Sequence, residues 1–268
     1  MNILRLHRKT EKIFIIFYFV GTIAIILVIA PVFNVLLSNT PAELSLTAQQ
    51  PTVQNAIFLS ICAAFLTSMI ALALGVPLAY VLARKRFAGK SVVEALVDLP
   101  LVVPHTVAGI AVLLVWGKNG IFGAPAGDIF GLTFYGTVAG IVVAMLFVSS
   151  PFMINSVREG FEGIDPDLEL AGRTLGASQF EVFRRISVPL AFRSIMVGIL
   201  LTWARSLSEF GAVYIIAYYP QTAPVLISDV YLEFGLRQAS AIAALLLLIT
   251  LTVFIVLRLL TLRGREEG

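Results

Sequence analysis

The sequence has few charged residues and almost no cysteine or histidine. Charged side chains make up 13% of its 268 residues, whereas 59% are hydrophobic. A soluble domain of this size needs more polar surface than that, so a lipid environment is indicated. The single cysteine, Cys62, excludes a disulfide framework or a cysteine-based zinc site within the chain. The two histidines, His7 and His105, lie too far apart for a local metal motif.

Motifs for catalysis or nucleotide hydrolysis are also lacking. The one partial match to a phosphate-binding loop is Gly89-Lys90-Ser91. Arg84 lies five residues before Gly89, where that motif requires glycine. No zinc-protease motif, nucleophile elbow or dinucleotide fingerprint occurs. We therefore expect a chain that has no cofactor, no metal and no ATPase of its own. Any ATP hydrolysis must come from another chain.

Six apolar runs are long enough to cross a bilayer. A hydrocarbon core of ~30 Å takes roughly 20 residues of helix. The runs show no period-two alternation, so helices are favoured over barrel strands. The first run is longer than the core of a cleaved signal and lacks a small-residue cleavage site, so we interpret it as a retained span. The predicted spans are 13–37, 56–83, 95–117, 137–157, 194–219 and 239–262.

Basic residues cluster on alternate connections between the spans. The opposite connections hold only Lys118 and Arg237. By the positive-inside rule this pattern places both termini in the cytoplasm. It also explains the net charge of +3 without a nucleic-acid partner, because the basic residues do not form one soluble face. The four clusters are Arg5, Arg8, Lys9 and Lys12; Arg84, Lys85, Arg86 and Lys90; Arg158, Arg173, Arg184, Arg185 and Arg193; and Arg258, Arg263 and Arg265.

The first span is set apart from the other five by an outer loop, 38–55, which is polar and contains proline. We therefore predict an N-terminal part, 1–54, that comprises the cytoplasmic N-terminus, the first span and the outer loop. A five-helix core, 55–262, follows and contains a cytoplasmic loop, 158–193. A short cytoplasmic tail, 263–268, ends the chain.

The cytoplasmic loop carries helix-capping signals. Asp165 is placed to be an N-cap, Pro166 suits the first helical position, and Gly176 can take the left-handed conformation that ends a helix. Ser178-Gln179-Phe180-Glu181 is a capping box that starts a second helix, which Pro189 bounds. The pattern predicts two helices around a glycine corner. Their apolar side chains either lie on the membrane interface or contact a partner.

The loop resembles the EAA loop of ABC importer permeases, whose pattern is Glu-Ala-Ala, three residues, Gly, nine residues, Ile-x-Leu-Pro. Here it stands as Leu170-Ala171-Gly172, Gly176 and Ile186-Ser187-Val188-Pro189. Leu170 replaces the motif glutamate, and Glu169 lies one position earlier. The resemblance implies a coupling helix that docks on a separate ATPase subunit and acts as a lever. The implied coupling residues are Asp165, Asp167, Glu169, Leu170, Ala171, Gly172, Arg173, Gly176 and Ser178.

Polar residues inside the spans are candidates for a translocation path or gate. Arg205 and Glu209 lie in span five, where a charge costs ~2.5–3.5 kcal/mol, so both should face the protein interior or water. Their i,i+4 spacing also allows a purely structural ion pair, and both interpretations remain open. The prolines of spans three and four free backbone carbonyls nearby. The candidates are Arg205, Ser206, Ser208, Glu209, Ser149, Ser150, His105 and Thr106.

The run RSLSEFGAVYIIAYYPQTAPVLISDVY, which begins at Arg205, is similar to span five of oxyanion permeases, where Arg-x-Leu-x-Glu-Phe-Gly-Ala is typical. Its part 217–226 and the span-three segment 99–109 look most like the tungstate and molybdate branch. With the loop, the resemblance covers about 55–260. It implies an all-α, six-span, type I ABC importer permease in the plasma membrane of a prokaryote.

The same resemblance implies partners. It points to a homodimer of permeases in the bilayer, two ABC ATPase subunits that use ATP and Mg, and an extracellular oxyanion-binding protein. Transport would then proceed by alternating access. Two alternatives remain: a permease for sulfate, ferric iron or polyamine, and a stand-alone channel or secondary transporter that needs no ATPase.

Overall fold

The computed structural model describes residues 3–263, and it describes the side chains of residue 14 and residues 16–255. Within these residues the chain is helical and has no strand. Residues 264–268 of the predicted tail, with Arg265, lie outside the described part. The helices are α1 (Ile3–Leu37), α2 (Pro41–Ala48), α3 (Pro51–Arg84), α4 (Lys90–Val102), α5 (His105–Trp116), α6 (Gly123–Phe130), α7 (Val138–Glu162), α8 (Pro166–Thr174), α9 (Gln179–Val182), a π-helical turn (Phe183–Ser187), α10 (Val188–Leu190), α11 (Phe192–Leu207), α12 (Gly211–Ile216), α13 (Ala223–Phe234) and α14 (Leu236–Arg263).

Within the described residues, four helices are long and apolar enough to cross a membrane: α1, α3, α7 and α14. Two further segments pass only as bent pairs. The pair α4 and α5 is bent by 117°, and the segment 179–190 is bent by 72° against α11. Counting each bent pair as one span gives six, which is the number of predicted runs, although the second pair begins within the loop 158–193 and not at residue 194. Pro104 explains the first bend, because it has no N–H and disfavours a helical residue before it.

The centre of the molecule is a bundle of α3, α7 and α11. Small residues allow these helices to approach closely, as is usual in membranes. A Cβ added at Gly198 on α11 would lie 3.0 Å from the sulfur of Met153 on α7. Met153, Val157 and Phe161 of α7 are fully buried in this bundle. The bundle is the frame on which the loop and the span-five residues are held.

The outer loop 38–55 contains a helix that we did not predict. Thr40 caps α2 through a capping box with Glu43, and Pro41 takes the first helical position. Arg237 at the start of α14 donates to Glu43 at 2.7 Å. The backbone N–H of Thr40, followed by Arg237, lowers the pKa of Glu43 to about 2. The pattern Thr-Pro-x-Glu was present in the sequence, and it is a recognisable start signal.

Span five and the connection after it also differ from the prediction. The continuous span 194–219 is broken, because α11 ends at Leu207 and α12 begins only at Gly211. The connection 220–238, predicted as an outer loop, folds as α13. Val225 and Leu226 of α13 are buried, and α13 packs against α14 and α3. Tertiary packing therefore makes part of this connection a component of the core.

The first helix packs along α14, and none of its apolar window is buried. Its exposed apolar side chains are suited to lipid rather than water. The division of the chain at residue 54 stays a prediction.

Candidate functional site

The loop between α7 and α11 has the predicted caps. The Asp165 carboxylate accepts from the backbone N–H of Asp167 at 3.0 Å at the start of α8. Gly176 has φ +92°, a left-handed conformation that favours glycine. Ser178 and Glu181 form both hydrogen bonds of the capping box, and the backbone N–H of Ser178 keeps the pKa of Glu181 below its usual range. The helix, glycine corner and second helix are confirmed.

The second helix does not end at Pro189 as predicted. It passes through the π-helical turn and reaches Leu190 before the chain bends at Ala191. The N–H of Val188 donates to the carbonyl of Phe183, five residues earlier. Since Pro189 has no N–H and crowds the preceding turn, the helix widens there instead of stopping.

Glu169 is buried inside the chain rather than presented on the loop surface. Its side chain accepts from Arg84 Nε at 2.9 Å, from Ser187 Oγ at 2.8 Å and from the Tyr80 hydroxyl at 3.2 Å. Arg84 Nη2 also donates to the carbonyl of Ile164 at 3.0 Å. We assigned Glu169 to the docking surface, and the structure corrects this. Its carboxylate joins α8 to the end of α3 and to the π-helical turn.

Sequence reasoning missed the partners of Glu169. It took Arg84 only as a topology signal, and it did not consider Tyr80 or Ser187. The available signal was the i,i+4 spacing of Tyr80 and Arg84, which places them on one face at the end of span two. Nothing in the sequence, however, pairs that face with a residue 85 positions away.

Most of the other predicted coupling residues are exposed. Gly172 is the exception, because it lies where α8 crosses the second helix, and a Cβ there would be 2.7 Å from Ile186 Cδ1. Leu175, which is 89% exposed, and Phe180 add large apolar side chains to the surface. We call this exposed surface the α8 surface. Its predicted members are Asp165, Asp167, Leu170, Ala171, Arg173, Gly176 and Ser178, and Leu168, Leu175 and Phe180 extend it.

Arg205, Glu209 and His105 form one cluster at the breaks of spans three and five. Arg205 Nη2 donates to Glu209 Oε2 at 2.7 Å and lies 3.1 Å from both ring nitrogens of His105. His105 Nδ1 lies 3.4 Å from the same Glu209 oxygen. Glu209 Oε1 accepts from the backbone N–H of Ala212 at 2.8 Å. The i,i+4 pair therefore exists, and the structure adds His105 to it.

The remaining candidates separate into buried and exposed groups. Ser206 Oγ donates to Ser149 Oγ at 2.8 Å, and both side chains are fully buried between α11 and α7. In this conformation they stabilise a helix contact and do not line an open path. Ser208 is exposed and accepts from Arg205 Nη1 at 3.3 Å. Thr106 is exposed and Ser150 is half-buried.

The comparisons with known proteins agree with this architecture. The profile of the family described as "Binding-protein-dependent transport system inner membrane component" matches residues 75–263, which is more than half of the chain. The chain belongs to this family. Members are permease subunits of ABC transporters, in which the ATPase is a separate subunit, so this multi-pass membrane protein is a transport subunit and not an ATPase.

Two relatives of the permease carry the same name. The "Molybdate/tungstate transport system permease protein WtpB" of Thermococcus kodakarensis is 44% identical over 255 residues, which cover 94% of the permease and 97% of the relative. The WtpB protein of Pyrococcus abyssi is 46% identical over 212 residues, which cover 79% of the permease and 80% of the relative. The permease is therefore of the molybdate/tungstate type.

A solved structure resembles the permease over nearly its whole length. A crystal structure of a bacterial alginate ABC transporter, in complex with an alginate pentasaccharide-bound periplasmic protein, matches with a TM-score of 0.76. The match covers 98% of the permease and 99% of that chain at 15% identity. This likeness shows the fold, and it confirms the predicted ABC importer permease architecture. The cytoplasmic placement of the termini stays a prediction.

Proposed function

We propose that the permease passes tungstate or molybdate through the plasma membrane of a prokaryote as part of an ATP-driven importer. An extracellular binding protein delivers the oxyanion, and two ABC ATPase subunits that use ATP and Mg drive a homodimer of permeases. The observation that carries this proposal is the 44% identity, over 94% of the chain, to a relative named for molybdate and tungstate. The permease itself needs no cofactor.

The α8 surface supports the assignment of an ATPase contact. The surface lies on a short capped helix and includes the exposed side chains of Leu168, Leu170 and Leu175. The buried Glu169 next to them fixes this helix to α3. Exposed apolar side chains at a rigid corner suit docking into a groove of another protein better than they suit water. Movement of an ATPase docked there would be carried by α8 to α3 and, through the second helix, to α11.

The cluster of Arg205, Glu209 and His105, which we call the Arg205 cluster, supports an anion path. Arg205 and His105 place nitrogen donors at the breaks of two helices, and both side chains are partly exposed. Irregular backbone at membrane depth is tolerated where it lines a cavity or is buried in protein. We assign Arg205, Ser208, Glu209, His105 and Thr106 to this path. Ser149 and Ser206 support it from the α7–α11 contact, and the half-buried Ser150 stays a candidate.

ATP hydrolysis by the assembled transporter tests the proposed function. The permease is co-purified with its ATPase, reconstituted in liposomes with the binding protein, and assayed with tungstate, molybdate, sulfate, ferric iron or a polyamine. We expect tungstate and molybdate to stimulate hydrolysis well above sulfate, with no response to the cations. Stimulation by sulfate alone, or uptake without any ATPase, would contradict the proposal.

A further inference from the structure

The Glu209 carboxylate already occupies a site built from nitrogen donors. It is 1% exposed and accepts from Arg205 Nη2 and from the Ala212 N–H, and it lies 3.4 Å from His105 Nδ1. The His105 side chain is 52% exposed and that of Arg205 is 19% exposed. The nitrogen groups that face Glu209 are thus more exposed than its carboxylate.

The members of the cluster belong to different helices around two breaks. Arg205 lies on α11, whereas Glu209 is attached to α12 through the Ala212 N–H. Helix α12 packs closely on α5, because a Cβ added at Gly211 would lie 2.7 Å from His105 Cβ. The backbone N–H of Glu209 donates to the carbonyl of Ser206 on α11 at 3.0 Å, whereas the carboxylate is bonded to α12. A movement of α11 that bends the chain between Ser206 and Glu209 would therefore lengthen the Arg205–Glu209 side-chain contact while the carboxylate keeps its bond to Ala212.

A tetrahedral oxyanion and a carboxylate offer the same chemistry to arginine. Both present negatively charged oxygen acceptors to a planar guanidinium, and such charge-assisted hydrogen bonds are strong. An unpaired Arg205 would therefore hold a dianion tightly and release it slowly. Transport requires that the oxyanion bind weakly enough to leave the path again.

Resting on the proposed function, we propose that Glu209 is a resident anion that occupies Arg205 between transport events. The passing oxyanion takes the place of Glu209 Oε2 on Arg205, and Glu209 returns when the oxyanion leaves. Glu209 thereby keeps the affinity of the path low, and it is the residue that determines how tightly the path holds an oxyanion.

Binding of tungstate to the permease–ATPase complex in nanodiscs, without binding protein, tests this inference. Equilibrium dialysis with elemental analysis is applied to wild type, Glu209→Gln, the double variant Arg205→Gln with Glu209→Gln, and Glu43→Gln. The last variant breaks the ion pair with Arg237, which has the same 2.7 Å distance but lies in the outer connection.

We expect Glu209→Gln to bind tungstate at least about tenfold more tightly than wild type, because one charge-assisted hydrogen bond becomes available. The double variant should lose this gain, and Glu43→Gln should behave as wild type. An unchanged affinity in Glu209→Gln, or a gain that persists without Arg205, overturns the inference. If Glu209→Gln does not assemble with the ATPase, Glu209→Asp is measured instead. Its shorter carboxylate loosens the contact with Arg205, so a smaller gain is expected and an unchanged affinity overturns the inference.

The two proposals fail separately. The substrate assignment fails if the wild-type transporter with binding protein does not respond to tungstate or molybdate. The Glu209 inference is decided by the difference between the variants, and sulfate is dialysed in parallel for that reason. A gain for sulfate in Glu209→Gln that requires Arg205 supports the resident anion even if the transported oxyanion is a different one.

Discussion

At the scale of single residues, buried carboxylates are held by several donors. Glu169, 8% exposed, has three side-chain donors, and Glu209 has Arg205 and a backbone N–H. A buried charge is tolerated only when it is paired and hydrogen-bonded. Both residues therefore fix helices to each other, although only Glu209 also lies beside an exposed imidazole, that of His105.

Replacement of Glu169 by glutamine should destabilise the permease. Arg84 would keep an amide partner but lose the opposite charge, and breaking a buried ion pair typically costs about 3–5 kcal/mol. We expect a clearly lower Tm in detergent and weaker co-purification with the ATPase. Glu162→Gln is the matched control, because Glu162 is half-exposed and lies 3.9 Å from Arg158, an arrangement worth about 0–1 kcal/mol.

The Tm of Glu169→Gln should fall, and that of Glu162→Gln should not. The single variants Arg84→Met and Glu169→Met each leave one charge unpaired. The double variant that combines them should therefore lose less stability than the sum of the losses of these two single variants. Equal Tm values for Glu169→Gln and wild type would show that the contact is not important for stability.

At the scale of elements, the functional parts of the permease lie where helices are interrupted. The α8 surface follows a capped start and a glycine corner, and the second helix contains a π-helical turn. The Arg205 cluster lies at the break between α11 and α12 and beside the bend at Pro104. Interrupted helices are joined by short segments that absorb changes in direction, which is how packed elements move as rigid units.

Gly176→Leu tests the corner of the loop. A non-glycine residue in a left-handed conformation costs about 1–2 kcal/mol, which lowers the population of the native corner about 5–30-fold. We expect the variant to insert in the membrane and to show reduced substrate-dependent ATP turnover. Space does not oppose the side chain, since no atom lies within 4 Å of an added Cβ.

Gly89→Leu is the control for that experiment. Gly89 has φ +86°, its added Cβ is also in open space, and it lies outside the coupling loop. Both variants place leucine at a similar left-handed φ, +86° at Gly89 and +92° at Gly176, so the comparison tests the position of the corner. If Gly176→Leu and Gly89→Leu supported equal turnover, the loop would not be the coupling element.

At the scale of the whole molecule, a central bundle carries peripheral helices. The bundle of α3, α7 and α11 holds the loop 158–193. The helices α2 and α13 both pack against α14, and α2 is bonded to the start of α14 through Glu43 and Arg237. The helix α1 contributes no buried residue from its apolar window. This arrangement, with loop 158–193 opposite α2, is the one that the basic clusters predict for a cytoplasmic and an outer face.

The orientation is testable because the chain has one cysteine. With Cys62→Ala as background, Ser45→Cys in α2 and Ala88→Cys before α4 are both placed at exposed positions. A membrane-impermeant maleimide should label Ser45→Cys in intact cells and Ala88→Cys only after permeabilisation. The reverse pattern would place the termini outside.

The number of spans, the caps of the loop and the Arg205–Glu209 pair are determined by the sequence itself. Each depends on one continuous segment of the chain: an apolar run, a capping box, or an i,i+4 spacing. Local chemistry is sufficient for such features. The helix in the outer loop was predictable in the same way, from Thr40, Pro41 and Glu43, although we did not predict it.

Only the tertiary structure decides which side chains meet across the bundle. Glu169 turns inward to Arg84, His105 joins a pair that is 100 residues away, and Ser149 and Ser206 become a buried contact. These pairs depend on the crossing positions of α3, α5, α7 and α11, which small residues and helix bends set together. A sequence pattern records which residues share a face, but packing determines what that face contacts.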